Sequence, residues 1–121
     1  MRYVCLIYFD PKVAFNQSAE SNAVLSEIAA HDNKLKESGH LVMGQALALP
    51  SEAMTVQMRD GKMSATDGPF METKEMLGGF TTIEARDLND AVRIAAENPF
   101  ARLGHIEVRP VPDFSKPRPT L

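Results

Sequence analysis

The sequence predicts an α+β fold of βαββαβ order with an extra β-hairpin between its second and third core strands. Three observations carry this expectation. Short runs of β-branched and aromatic residues alternate with turn residues. Two longer stretches repeat apolar residues at helical spacing between capping residues. An Asp60-Gly61 pair, the strongest short hairpin signal, sits mid-chain.

The elements follow in order. Residues 2–9 are apolar on both faces, Tyr3, Cys5, Ile7 and Phe9 against Val4, Leu6 and Tyr8, which predicts a buried first strand. Residues 10–18 read as a loop. Residues 19–38 carry Val24, Ile28 and Leu35 on one stripe with Leu25 beside it, between a Ser18 cap and a Gly39 stop. Residues 40–49 and 53–59 read as strands separated by Pro50. Asp60-Gly61 then returns the chain through Lys62–Ala65. Asp67-Gly68-Pro69-Phe70 is a turn by composition, with Gly68 and Pro69 as scaffold. Residues 78–84 form the next strand. A second helix begins at a cap on Asp87 with Asp90 at its third position, presents Leu88, Ala91, Val92 and Ala95 as its stripe, and closes at Asn98-Pro99. Residues 105–111 are the last strand. A domain over 1–112 and an extended tail over 113–121 complete the reading. Such an order is ferredoxin-like. Its two helices cover one sheet face only, so the doubly apolar first strand predicts a homodimer with sheet faces opposed.

With 121 residues the chain holds one core, and 44% apolar with 24% charged residues is an ordinary globular balance. A net charge of −3 excludes nucleic acid as the main partner, since phosphate binding calls for a basic surface. The apolar start is too short for a signal peptide and nothing else is long enough to span a bilayer, so no membrane is expected and the cytoplasm is the default address. Cys5 is the only cysteine, and three histidines without paired ligand spacing predict no metal site and no cofactor.

The stretch Asp67-Gly68-Pro69-Phe70-Met71-Glu72-Thr73-Lys74-Glu75-Met76-Leu77-Gly78-Gly79-Phe80 resembles the signature of YCII-related proteins of the DGPF type. The Asp-Gly hairpin before it, the Asp-capped helix after it and Glu107-Val108-Arg109-Pro110-Val111 agree in order, and the resemblance spans residues 1 to 112. It implies a ferredoxin-like fold paired into a dimeric α+β barrel, no settled activity, and a regulatory protein, such as an extracytoplasmic-type sigma factor, as a further partner. Members of the wider family, and a dehydrochlorinase similar to them, carry a His early in the first helix and an Asp near its end, read as an acid–base dyad. This chain has no His over Glu20–Leu25 and carries Glu37 two residues before Gly39, so it lacks that dyad.

Three groups of residues are candidates for binding. Asp67, Glu72, Lys74 and Glu75 gather beside a turn, where a Lys between carboxylates can hold an anion or a proton; the alternative is a capped turn and a solvated edge. His105, Glu107 and Arg109 share one face of the last strand by alternation, with Ile106 and Val108 on the other. That trio fits a polar ligand and an interface ion pair equally. His31 lies on the apolar stripe between Ile28 and Leu35, where a structural role is the commoner case. A small polar or anionic ligand is expected between the 67–75 segment and the polar face of the last strand. Three functions follow: a dimeric small-molecule-binding or regulatory module, a cofactor-independent lyase or isomerase using acid–base chemistry, and a structural partner in a larger complex.

Overall fold

The structure, a computed structural model, describes residues 1–117. The chain runs β1 (Arg2–Phe9), α1 (Pro11–Ala14), α2 (Ala19–Glu37), β2 (Leu41–Ala46), β3 (Met54–Arg59), β4 (Lys62–Asp67), β5 (Met76–Glu84), α3 (Leu88–Ala96) and β6 (Gly104–Pro110). Single 3₁₀ turns lie at Pro50–Glu52 and Pro99–Arg102. Four strands form one antiparallel sheet in the order β2-β5-β1-β6, and β3 with β4 forms a separate two-stranded sheet. That is the ferredoxin-like plan with its extra hairpin, with β1 and β5 central and β6 at the edge beside β1.

Local chemistry sets the element ends. Ser18 Oγ accepts the backbone N–H of Ser21 and starts α2. Gly39, at φ +80°, ends it, and His40 N–H donates to Leu35 O in a Schellman closure. Asp60 and Gly61 both have positive φ, as a two-residue hairpin of the primed type requires. Gly68, at φ +89°, is clamped by Ala53 O, which accepts its N–H, and by Thr55 Oγ1, which donates to its carbonyl.

Three expectations need correction. The 10–18 loop contains α1, because Asp10 Oδ1 accepts Lys12 N–H and Pro11 supplies a preset first helical residue. The stripe of α3 is rotated: Ala91, Ile94 and Ala95 are buried, while Leu88 and Val92 are each 50% exposed. Leu88 and Val92 lie on the flank of the short helix, while Ala91, Ile94 and Ala95 join Tyr3 and Ile83 in the core cluster. The tail is not simply extended, since Lys116 N–H donates to Asp113 O and Ser115 Oγ to Asp113 Oδ1, closing a turn. Residues 118–121 of that predicted tail lie outside the described residues.

The faces of β1 divide as alternation requires. Tyr3, Cys5, Ile7 and Phe9 are buried under the helices with Val24, Leu35 and Ile94. Val4, Leu6 and Tyr8 face the other way and are half-buried. Cross-strand register sets Thr82 and Arg109 beside Val4, Phe80 and Glu107 beside Leu6, and His105 beside Tyr8. The open face is therefore an apolar stripe with a polar margin along β6.

Asp90 ties the start of α3 to the strand before it. Its side chain, 3% exposed, accepts the backbone N–H of Arg86 and the guanidinium of Arg93. These bonds hold its carboxyl far below the ordinary carboxylate range. A depressed folded-state pKa contributes stability that is present above the unfolded value, about 4, and is lost as pH falls toward the folded one. Asp90→Asn is expected to melt earlier than wild type at pH 7, with the gap narrowing below about pH 4. Thermal melts across that range check it; a gap independent of pH would mean the carboxylate charge is not what stabilises the helix start.

Candidate functional site

A cavity of about 500 Å³ opens between α2 and the helix-facing side of the sheet. Its floor is made by glycines. The β1–β5 register slips between Ile7 and Tyr8, opposite Gly78, and this bulge brings Phe9 over the floor. A β-carbon on Gly78 would lie 2.1 Å from Cε1 of Phe9, and one on Gly79 would lie 2.8 Å from Gln45 O. The walls are aromatic. Phe9 and Phe100 stack with centroids 4.7 Å apart, and Phe15 meets Phe9 edge-on at 5.7 Å. Leu25, Ile28 and Asp32 of α2 close the opposite side. Among the described residues that line it, Asp32 is the only ionisable one. Asn98 is already engaged, its Oδ1 accepting Phe100 N–H. Such a cavity can hold a flat apolar molecule and offer one carboxylate to a hydrogen-bond donor on it.

The residues singled out from the sequence fall into separate places. Glu75 and His105 are brought together, His105 Nδ1 lying 2.5 Å from Glu75 Oε1, and the imidazole stacks on Tyr8 with centroids 4.7 Å apart. Glu107 and Arg109 pair with each other on the same open face. Ile106 and Val108 pack against the core on the far side of β6. Lys74 lines a depression that Lys12 also lines, and none of His105, Glu107 and Arg109 lines it. Among the described residues, no side chain is seen bonded to Asp67 or Glu72. Asp67 ends β4, opposite Met54.

His31 is buried on α2, and burial pushes its pKa down, partly offset by the nearby carboxylates of Asp32 and Glu97. Cys5 is buried in the core, and burial raises its thiol pKa. Among the described residues no three His, Cys, Asp or Glu side chains come close enough together to hold a metal ion. No described helix is long and apolar enough to cross a membrane.

The cavity is not legible in the sequence because its walls come from β1, Phe15 after α1, α2, β2, β5 and the 3₁₀ turn after α3. One signal pointed to it: paired glycines inside a strand mark a bulge or a close approach, and Gly78-Gly79 do both.

Residues 1–115 match the YCII-related domain family. The chain belongs to the YCII-related family. An uncharacterised protein of Rhizobium meliloti (strain 1021) is 34% identical over 114 residues, covering 92% of each chain. Among solved structures, this YCII-related chain is similar to the 5-chloro-2-hydroxyhydroquinone dehydrochlorinase of Burkholderia phenoliruptrix AC1100 in complex with 2,5-dihydroxybenzoquinone. The TM-score is 0.50 at 16% identity, over 93% of this chain and 94% of that one. At that identity the likeness concerns the fold.

Proposed function

We propose that this YCII-related protein is a small-molecule-binding module that holds a flat, largely apolar molecule in the glycine-floored cavity. We also propose that two copies pair through the open sheet face. The observation that carries the first reading is the combination of Gly78-Gly79 beneath and Phe9, Phe15 and Phe100 around a space of about 500 Å³. A planar ring system matches such walls, and a donor on the ring matches Asp32. The pairing reading rests on the apolar stripe of Val4, Leu6, Tyr8 and Phe80 that no helix of the chain covers.

Binding is favoured over turnover in this cavity because no His or Lys lines it with Asp32, the neighbouring His31 being buried, and a proton relay requires a partner group. The lyase or isomerase reading is supported by a different observation, the Glu75–His105 contact on the open face.

Indole serves as a neutral planar probe with one N–H donor. Calorimetry is expected to give a Kd on the order of 0.1–1 mM for a ligand of this size. Gly78→Val is expected to abolish the heat of binding, since the new side chain drives into Phe9. Indole that fails to bind the wild-type protein, or binds Gly78→Val equally well, would overturn the reading.

A further inference from the structure

Further spaces adjoin the cavity on the other side of Phe9. Phe9, Phe15, Leu47 and Gly78 also line a narrow space of about 30 Å³. That space shares Pro11, Leu49, Pro50 and Met76 with a second depression of about 380 Å³. Each space shares lining residues with the next, so the three are neighbours. Their chemistry changes along the way. The first is aromatic and apolar, the second is a throat of aliphatic, Pro and Phe side chains, and the third is flanked by Lys12 of α1 and Lys74 of the segment before β5.

Neither lysine has a salt-bridge partner among the described residues. Asp10 is the one carboxylate lining that depression, and its Oδ1 is occupied in accepting Lys12 N–H at the start of α1. Thr73 Oγ1 is likewise occupied, donating to Glu75 O. Two ammonium groups against one carboxylate leave the third space with an excess of positive charge. An anion there would meet donors from two separate parts of the chain.

We propose that the ligand of this site is an amphiphilic anion: an aromatic ring in the glycine-floored cavity, a short aliphatic linker through the throat, and a carboxylate held between Lys12 and Lys74. This inference rests on the cavity reading above and adds the charge and length of the ligand to it. The division of labour is physical. The ring gains by leaving water. The linker crosses a throat with no polar demand. The carboxylate exchanges water for charge-assisted hydrogen bonds at the exposed end, where desolvation costs little.

The test uses a matched pair of probes, 4-phenylbutanoate and 4-phenyl-1-butanol, titrated by calorimetry with indole as the reference for the cavity itself. Wild-type protein is expected to bind the acid about tenfold more tightly than the alcohol, a ratio of about 1.4 kcal/mol. Raising the salt concentration is expected to narrow the ratio. The Lys12→Met, Lys74→Met double variant is expected to bring it close to one, and the Lys12→Arg, Lys74→Arg variant to restore it. Both lysines are exposed, so the fold is not at risk from these changes. If indole does not bind, the cavity reading fails and this inference with it. If indole binds but acid and alcohol bind alike, or the acid keeps its advantage in the Met variant, the anion inference fails and the cavity reading stands.

Discussion

Gly104→Ala is expected to be the most damaging single-methyl substitution in this chain. The added β-carbon would lie 2.0 Å from the carbonyl oxygen of Tyr8 and 3.0 Å from Cα of Phe9. Both are backbone atoms of the central strand β1, so no side chain can rotate out of the way. Relief requires β6 to move off β1 at its first residue, breaking the Phe9–Gly104 pairing and shifting Leu103 and Phe100 against Phe9. Overpacking that the backbone must absorb costs about 3 kcal/mol or more, which for a domain of this size lowers Tm by roughly 10 °C. Gly39→Ala is the control. It faces open space, and only its φ of +80° opposes a side chain, which costs about 1 kcal/mol. Urea or thermal unfolding of both variants decides the matter. Equal losses would mean that the β1–β6 approach is looser than the register implies.

The second large effect concerns association. Wild-type protein is expected to sediment at twice the chain mass at micromolar concentration, and Leu6→Lys at the chain mass. Leu6 is central on the open face, flanked by Phe80 and Glu107. In a single chain the new ammonium lies near Glu107 and reaches solvent. In a two-fold interface the substitution occurs twice and leaves charges removed from water. A penalty of about 3 kcal/mol weakens the pair by more than about 100-fold. A wild-type monomer, or a Leu6→Lys dimer, would overturn the pairing through this face. Indole titration of the same variant shows whether the cavity on the opposite face depends on the pair.

What the sequence made legible were the features decided within a few residues. Asp60-Gly61, Gly39, Ser18 and Asp87 each act through their own φ or their own side-chain oxygen, and each sits where it was expected. The alternation along β6 held as well, because a strand beside a covered face has only two choices for each side chain. Features set by distant partners were less legible. The buried face of α3 depended on how Ile94 docks, and periodicity alone admitted Leu88 and Val92 as well. Lys74 reads as one of four neighbouring charges, yet it lines a depression together with Lys12, from far along the chain. Asp32 reads as a helix-edge residue until Phe9 and Phe100 are seen to stack across from it.

The strand order has a further consequence for how the chain reaches this state. The β3–β4 hairpin pairs Arg59 with Lys62 across a two-residue turn, a contact that closes on a microsecond scale. The central sheet is the opposite case: Arg2 pairs with Glu84 and Tyr3 with Pro110. Contacts so far apart along the chain must meet the entropy of loop closure before any burial rewards them. The hairpin thus closes the shortest loop in the chain, while β1 needs β5 and β6 from far along the sequence. During synthesis β1 precedes both of its partners and receives its last neighbour only when residues 104–110 have been made. For most of that interval the most apolar strand of the sheet has both edges unpaired, and unpaired apolar edges are an aggregation hazard, although β1 becomes a central, enclosed strand in the finished fold.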